Sequence, residues 1–355
     1  MDKSQHTIVI GGGQAGLAAG YFLKQRSRDF VILDSSTRTG ETWRSRWDSL
    51  RLFTPSHFDS LPGLAFPAPA GYFPTKDEVA DYLEDYARYF DLPIQHGIKA
   101  ERLSRNGAGF VLSAGSELLA RHVIVATGAY QQPRIPSFAH ELDPSIEQLH
   151  STAYRNPGQL DARNVLVVGA GNSGAEISLE LAGAGKRVWL AGRDVGHIPA
   201  DTLGRPFGGR PYWWFLSHML TESSVIGRRM KDKVLHHGNP LIRTTRQHLT
   251  AAGVETAGRV AGLVEGQPRL EDGRVLPVEA VVWATGFQPN YGWIDLPIFD
   301  EFGLPCHHRG IVDDVAGLYF IGLHFQSGLS SALLGGVSAD AKWVVEQLDK
   351  SSHLN

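Results

Sequence analysis

The chain has 355 residues, 42% of them hydrophobic and 20% charged, with a formal net charge of -3. That length and balance allow a large buried core and two folding units, and they supply no global basic field for nucleic acid. A single cysteine, Cys306, excludes an internal disulfide, a paired-thiol redox centre and a cysteine-built metal cluster, so no metal site is expected. No apolar run of about 18 residues is present, so no membrane span is expected. With no secretory signal ahead of the first strand, the expected location is cytoplasmic. The 40 glycines, against about 25 at average usage, point to backbone that approaches ligands at tight turns.

In chain order, the first predicted element is a short apolar strand, Thr7 to Ile10, that runs into Gly11-Gly12-Gly13-Gln14-Ala15-Gly16. A helical pattern follows from Leu17 to Leu23. In such a turn the first glycine makes the bend, the second admits a pyrophosphate, and the third packs helix on strand. The helix N-terminus then offers free N–H groups to the phosphates. The next strand, Phe30 to Leu33, ends in Asp34, 23 residues after Gly11, with Ser35 beside it. A carboxylate there accepts the hydroxyls of an adenosine ribose. A further strand closes on Val125-Ala126-Thr127-Gly128.

The pattern recurs 158 residues later as Val167-Val168-Gly169-Ala170-Gly171-Asn172-Ser173-Gly174, between a strand (Val165 to Val168) and a helix (Ala175 to Leu181). Trp283-Ala284-Thr285-Gly286 repeats the second strand ending at the same offset. The second strand of this copy, Arg187 to Leu190, leads through Gly192 to Arg193. A guanidinium in place of the acid suits the 2′-phosphate of NADP.

These readings predict an α/β fold of two Rossmann-like dinucleotide-binding domains in a glutathione-reductase-like arrangement, the second inserted into the first. An FAD-binding domain would take residues 1–160 and 288–355, and an NAD(P)H-binding domain residues 161–287. Turn residues at Asn156-Pro157-Gly158 and Gln288-Pro289-Asn290 suit hinges. In the tail, Leu318 to Gly322 reads as a buried strand, and Ser330 to Gln347 as a helix whose N-terminal end faces the ligand. A helical insertion is expected at about 199–250, with Arg210-Pro211-Tyr212-Trp213-Trp214-Phe215 followed by Arg228, Arg229, Lys231, Lys233, Arg243 and Arg246. It reads as a flap over a site mouth, as a membrane-surface helix, or as an insertion packing its aromatics on the second domain.

With both turns and both Ala-Thr-Gly strands placed, the sequence resembles the flavin-containing monooxygenases over nearly its whole length. The short bacterial members and CzcO-like flavoproteins are the most similar, the YUCCA-type enzymes more distant. Further carriers are Gly40-Glu41-Thr42-Trp43, Leu50-Arg51-Leu52-Phe53-Thr54-Pro55 and Tyr72-Phe73-Pro74-Thr75-Lys76, the last preceding a helix from Asp77 to Phe90. His150-Ser151-Thr152-Ala153-Tyr154-Arg155 matches the second half of the family fingerprint, while Pro144 and Ile146 stand where Phe and Gly belong.

The resemblance implies FAD at Gly11, Gly13, Gln14, Ala15, Gly16, Asp34, Ser35, Thr127, Gly128 and Gly322, with Trp43 near the flavin. It implies NADPH, with NADH as the alternative, at Gly169, Gly171, Asn172, Ser173, Gly174, Arg193, Thr285 and Gly286. Thr54, His150 and Gln326 are the candidate catalytic residues, with His324 another candidate donor and His150 also readable as a hinge organiser. The implied reaction passes hydride to FAD, activates O2 as a flavin C4a-peroxide, and oxygenates a small organic sulfide, amine or ketone. An NAD(P)H oxidase or flavin reductase, and a flavin-binding redox-regulatory protein, are the competing readings. A disulfide reductase would need a partner for Cys306. A monomer or homodimer is expected.

Overall fold

The structure, a computed structural model, describes residues 4–107, 109–198, 209–237 and 240–352. Two sheets organise it. In the first, β1 (Ser4–Ile10) lies between β2 (Phe30–Asp34) and β6 (Glu117–Val125), with β3 (Ile94–His96) outside β2, all parallel. The long β6 changes partner along its length. Residues 117–120 pair antiparallel with β5 (Gly109–Ser113), which pairs with β4 (Arg102–Asn106), while residues 123–125 pair parallel with β16 (Leu318–Phe320). One edge thereby receives both a local antiparallel ribbon and a strand returning from the far end of the chain.

The central strands are continuous apolar runs because both faces of this sheet are covered. Val9, Ile32 and Ile124 face α1 (Gln14–Gln25), α3 (Lys76–Tyr89) and α8 (Val337–Ser352). Ile8, Ile10, Val31, Leu33, Val123 and Val125 face Phe110, Leu112 and a layer drawn from residues 291–323. The α3 helix starts on a capping box, with the Thr75 side chain on the Glu78 N–H and Glu78 answering the Thr75 N–H.

The second sheet is parallel throughout, in the order β11 (Glu255–Ala257), β10 (Arg187–Ala191), β9 (Asn164–Val168), β14 (Ala280–Trp283), β8 (Glu147–His150). One face packs on α4 (Asn172–Gly183) and α7 (Arg246–Ala251), the other beneath the hairpin β12 (Val260–Val264) and β13 (Gln267–Leu270). The two chain crossings between the sheets meet as a short antiparallel ladder, β7 (Gln132–Pro133) against β15 (Phe287–Gln288).

Three expectations are corrected. The second sheet begins at Glu147, ahead of the expected boundary at 160/161, because the Pro157-Gly158 turn lies between two strands of that sheet rather than between the sheets. The tail helix starts at Val337, not Ser330. Residues 330–336 instead form turns in which Gly335 lies against the Phe58 carbonyl, where a Cβ would come within 1.7 Å. The insertion is shorter than 199–250: α7 is capped by Thr245, packs in the second core and leads straight into β11, so it belongs to that sheet. What remains described of the insertion is α5 (Arg210–His218) and α6 (Val225–His237); residues 199–208 and 238–239, and with them part of the expected flap, lie outside the described residues.

Candidate functional site

The two glycine turns have nearly the same backbone. Gly11 has φ +110° and Gly169 φ +112°, and a Cβ on either would come within 2.5 or 2.2 Å of the carbonyl of Ala126 or Ala284. The paired Ala-Thr-Gly strands are therefore the walls against which the turns bend. Gly16 and Gly174 each sit 1.9 Å, at the Cβ position, from the carbonyl of the first glycine of their own turn. At Gly13 and Gly171 the Cβ position is open, so here the glycine leaves room for something outside the chain. Both head helices with no side-chain cap and no acid in the first turn, which leaves their N–H groups and dipole to a ligand. A pyrophosphate fits each cradle by charge and by space.

At the end of β2, Asp34 accepts from the Gly12 N–H at 2.5 Å and from the Ser36 N–H at 2.7 Å. Two bonds leave lone pairs on the carboxylate, which can still accept from a diol. A Cβ at Gly12 would lie 2.7 Å from Asp34 Oδ2, so that glycine is what lets the acid approach the turn. Ser35 is exposed beside it. Arg193 is likewise exposed at the end of β10 and has no acid partner among the described residues. Gly322, with φ +85°, sits where a Cβ would come within 2.9 Å of Ala15 Cβ, and Gln14 Nε2 donates to the Ala332 carbonyl at 3.0 Å. Trp43 is half-buried against the first core.

Several expected ligand residues spend their side chains on the protein. Asn172 donates to the Pro240 carbonyl and accepts from the Ile242 N–H, both at 3.0 Å, leaving its place at the helix start to the backbone; Ser173 follows it, half-buried. The Thr285 hydroxyl donates to the Arg134 carbonyl, and the Thr127 hydroxyl accepts from Gln131 Nε2 at 2.8 Å. Gly128 and Gly286, with φ +73° and +81°, have open Cβ positions.

Two of the catalytic candidates have their side chains engaged by the protein. Gln326 is wholly buried, donates to the Phe320 carbonyl at 2.9 Å and accepts from the Leu323 N–H at 3.3 Å, so its amide fastens the tail turn. His150 is 6% exposed, its Nδ1 accepts from the Thr152 N–H at 3.2 Å, and its Nε2 lies 3.1 Å from the Gly286 carbonyl. That pairing makes Nε2 the protonated nitrogen. Burial lowers its pKa against the opposing pull of the Gly286 carbonyl. His150 thus links β8 to the second Ala-Thr-Gly strand, with both ring nitrogens engaged. Phe287 lies edge-on to it at 5.5 Å, and Arg46 lies 5.5 Å over that ring.

Thr54 stays in place as a candidate, and its partner is a residue that no motif flagged. Its hydroxyl donates to Asp59, which is 1% exposed and whose Oδ2 finds no partner among the described residues. Burial pushes the Asp59 carboxyl up to about 7, against the pull of the Thr54 hydroxyl. Asp59 follows His57-Phe58 with no spacing that distinguishes it from a surface acid, yet it is buried, beside the point where Gly335 packs on the Phe58 carbonyl. Gln131 lies in no motif. Besides Thr127 it receives the Asn290 N–H at 2.5 Å, tying the two crossings together. His324 is half-buried, 5.0 Å from Tyr130, and desolvation lowers its pKa.

A cleft of about 230 Å³ opens beside this hinge, lined by Ser36, Thr42, Arg46, Tyr130, Thr152 and Phe287 among others. Over the tail side lies the insertion. Trp213 stacks on Phe58 at 4.9 Å and 14°, and Thr221 bridges to Gly328, with the Glu222 N–H on the Ser327 carbonyl at 3.0 Å. Trp213 of this segment thus reaches the first sheet's side.

Residues 8–201 match the pyridine nucleotide-disulphide oxidoreductase family. The chain is 40% identical over 345 residues to a CzcO-like oxidoreductase of Geobacillus kaustophilus that is itself uncharacterized, covering 96% of this chain and 97% of that one. It is 29% identical to the probable indole-3-pyruvate monooxygenase YUCCA3 of Arabidopsis thaliana, covering 93% and 84%. Among solved structures, a flavin-containing monooxygenase from Stenotrophomonas maltophilia superposes with a TM-score of 0.79 at 29% identity, over 99% of both chains. Fold, turns and relatives define an FAD-dependent oxidoreductase. Within that class, the chain belongs to the flavin monooxygenase family.

Proposed function

We propose that the chain is an NADPH-dependent flavin monooxygenase that passes one atom of O2 to a small sulfide, amine or ketone. In this reading the two sheets are Rossmann-type units in the glutathione-reductase arrangement. FAD occupies the Gly11–Gly16 cradle with its adenosine ribose on Asp34. NADPH occupies the Gly169–Gly174 cradle with its 2′-phosphate on Arg193. The supporting observation is the pairing of two nearly identical cradles whose neighbouring strand ends carry opposite charges, Asp34 and Arg193. FAD, when bound, supplies the hydride acceptance and the oxygen chemistry. The chain's own residues bind, orient and exclude water: helix N-termini hold phosphates, and α5 covers the tail side through Trp213 on Phe58.

The decisive experiment is NADPH oxidation by the flavin-loaded protein across sulfides, amines and cyclic ketones, with hydrogen peroxide measured alongside. Product formed in step with NADPH consumed is expected for one of these classes. Peroxide in step with NADPH for every compound would instead make the protein an NADPH oxidase. One observation favours that second reading. His150 and Gln326 are committed to backbone and the Thr54 hydroxyl to Asp59, which leaves His324 as the expected donor with no hydrogen bond among the described residues.

A further inference from the structure

The described part of the insertion has two unlike faces. Inward, Trp213 stacks on Phe58, Leu220 is buried, and Thr221 and Glu222 are tied to residues 327–328. Outward, Trp214 is 56% exposed, Val225 59% and Ile226 52%, with Phe215 and Met219 exposed beside them. These are five of the twelve large apolar side chains exposed among the described residues, and all five fall between positions 214 and 226. Scattered apolar residues need no explanation, whereas a cluster marks a surface that meets something. The cluster is one corner of the fold. The Met219 N–H bonds to the Phe215 carbonyl at 2.9 Å, and the Ser224 hydroxyl bonds to the Met219 carbonyl at 2.5 Å. Gly227 lets α6 press on the Thr221 carbonyl, where a Cβ would come within 1.9 Å.

Charge indicates what meets it. Arg210, Arg228 and Arg229 are exposed on the same two helices, and none has an acid partner among the described residues. Arg228 donates to the carbonyls of Glu222 and Ser223. Over residues 210–237 the sequence sets Arg210, Arg228, Arg229, Lys231 and Lys233 against Glu222 and Asp232, and Glu222 is paired with Lys231. The rim is therefore positive on a chain whose net charge is -3. A twofold contact with a second copy would set these arginines against their own images. Exposed Trp and Phe rimmed by arginine suit an interface with anionic headgroups, where the rings enter the acyl boundary and the guanidinium groups stay at the phosphates.

We infer that the α5–α6 corner docks the protein peripherally on an anionic lipid bilayer. No helix among the described residues is long and apolar enough to cross a membrane, so the contact would be one of surface. Because the inner face of the same helix pair covers the tail side of the site, docking sets the mouth of that site against the bilayer.

The test is co-sedimentation of the full chain with vesicles of phosphatidylglycerol and phosphatidylcholine, compared with phosphatidylcholine alone. Binding to the anionic vesicles at low salt, with little on the neutral ones, is expected. The double variants Trp214→Ser/Phe215→Ser and Arg228→Glu/Arg229→Glu should each lower the bound fraction at least about fivefold, at one anionic contact or one ring per factor. Flavin content and thermal midpoint should stay unchanged in both. Equal binding to both vesicle types, no binding, or undiminished binding of the arginine variant would each overturn the inference. So would a concentration-dependent dimer that Trp214→Ser/Phe215→Ser abolishes, which would assign the corner to a second copy. None of these readouts requires turnover, so failure here leaves the monooxygenase reading untouched.

Discussion

The two glycine turns differ little as backbone and greatly as chemistry. Gly11 and Gly169 share their φ to within two degrees, Gly13 and Gly171 share an open Cβ position, and Gly16 and Gly174 the same closure. What separates them is one residue at the end of the following strand: an acid bonded back to its own turn in one half, an exposed guanidinium in the other. In the proposed reading, backbone geometry makes room for a dinucleotide phosphate, and a side chain outside the turn selects which dinucleotide.

The largest effect that could break this symmetry is a closed turn. Gly16→Val forces two carbons onto the Gly11 carbonyl and is expected to yield protein without flavin, read as loss of its visible absorbance. The matching Gly174→Val should keep the flavin and lose reduction by NADPH. Loss of flavin in both variants would show that the turns are not independent.

A second contrast lies in two buried acids. Burial raises the pKa of Glu176 and of Asp59 alike, but Glu176 is paired with Arg243 at 2.9 Å while Asp59 has only a hydroxyl. Unfolded, Asp59 titrates near 3.8; folded, near 7. Between these values the folded chain holds a proton that the unfolded chain has released, so stability falls as pH rises through that window and stays reduced above it. Asp59→Asn is expected to recover up to about 4 kcal/mol above about pH 7 and nothing below about pH 4, measured as a shift in urea midpoint of the flavin-free protein. A pH-independent shift would remove the titration.

The charge contrast at the strand ends predicts a smaller change. Arg193→Ala should raise KM for NADPH about 10- to 100-fold, the loss of a charge-assisted contact, and change KM for NADH by less than about twofold. Equal effects on both cofactors would take Arg193 out of the phosphate role. Smallest is the cover. Trp213→Ala removes one aromatic stack, about 1 kcal/mol, and is expected to raise the rate of proteolytic cleavage in the insertion about fivefold. An unchanged rate would mean that the 221–328 bridge alone holds it.

The turns, their flanking strands and helices, and the strand-end residues were legible because local rules govern them: glycine where φ is positive or contact is close, apolar runs where both faces are covered. The rest depends on distant partners. Glu147–His150 reads as polar, and becomes an edge strand only through its pairing with Ala280–Trp283. Asp59 looks like a surface acid until Gly335 comes down on its neighbour. Gln326 and His150 are residue types that suit catalysis, and sequence cannot show that backbone carbonyls and N–H groups already engage their polar atoms. The insertion's hydrophobic residues were visible, but which face each would take was not.

Residues 192–254 join two neighbouring parallel strands, a crossover for which about a dozen residues suffice. The second core draws on this stretch through α7 and also through Leu241 and Val254, and Asn172 is bonded to the backbone of Pro240 and Ile242. Among its described residues, what that core leaves unused is the helix pair α5–α6. Changes confined to that pair would leave the strand register of both sheets in place, and under the proposed reading that pair is the segment in which to engineer selectivity.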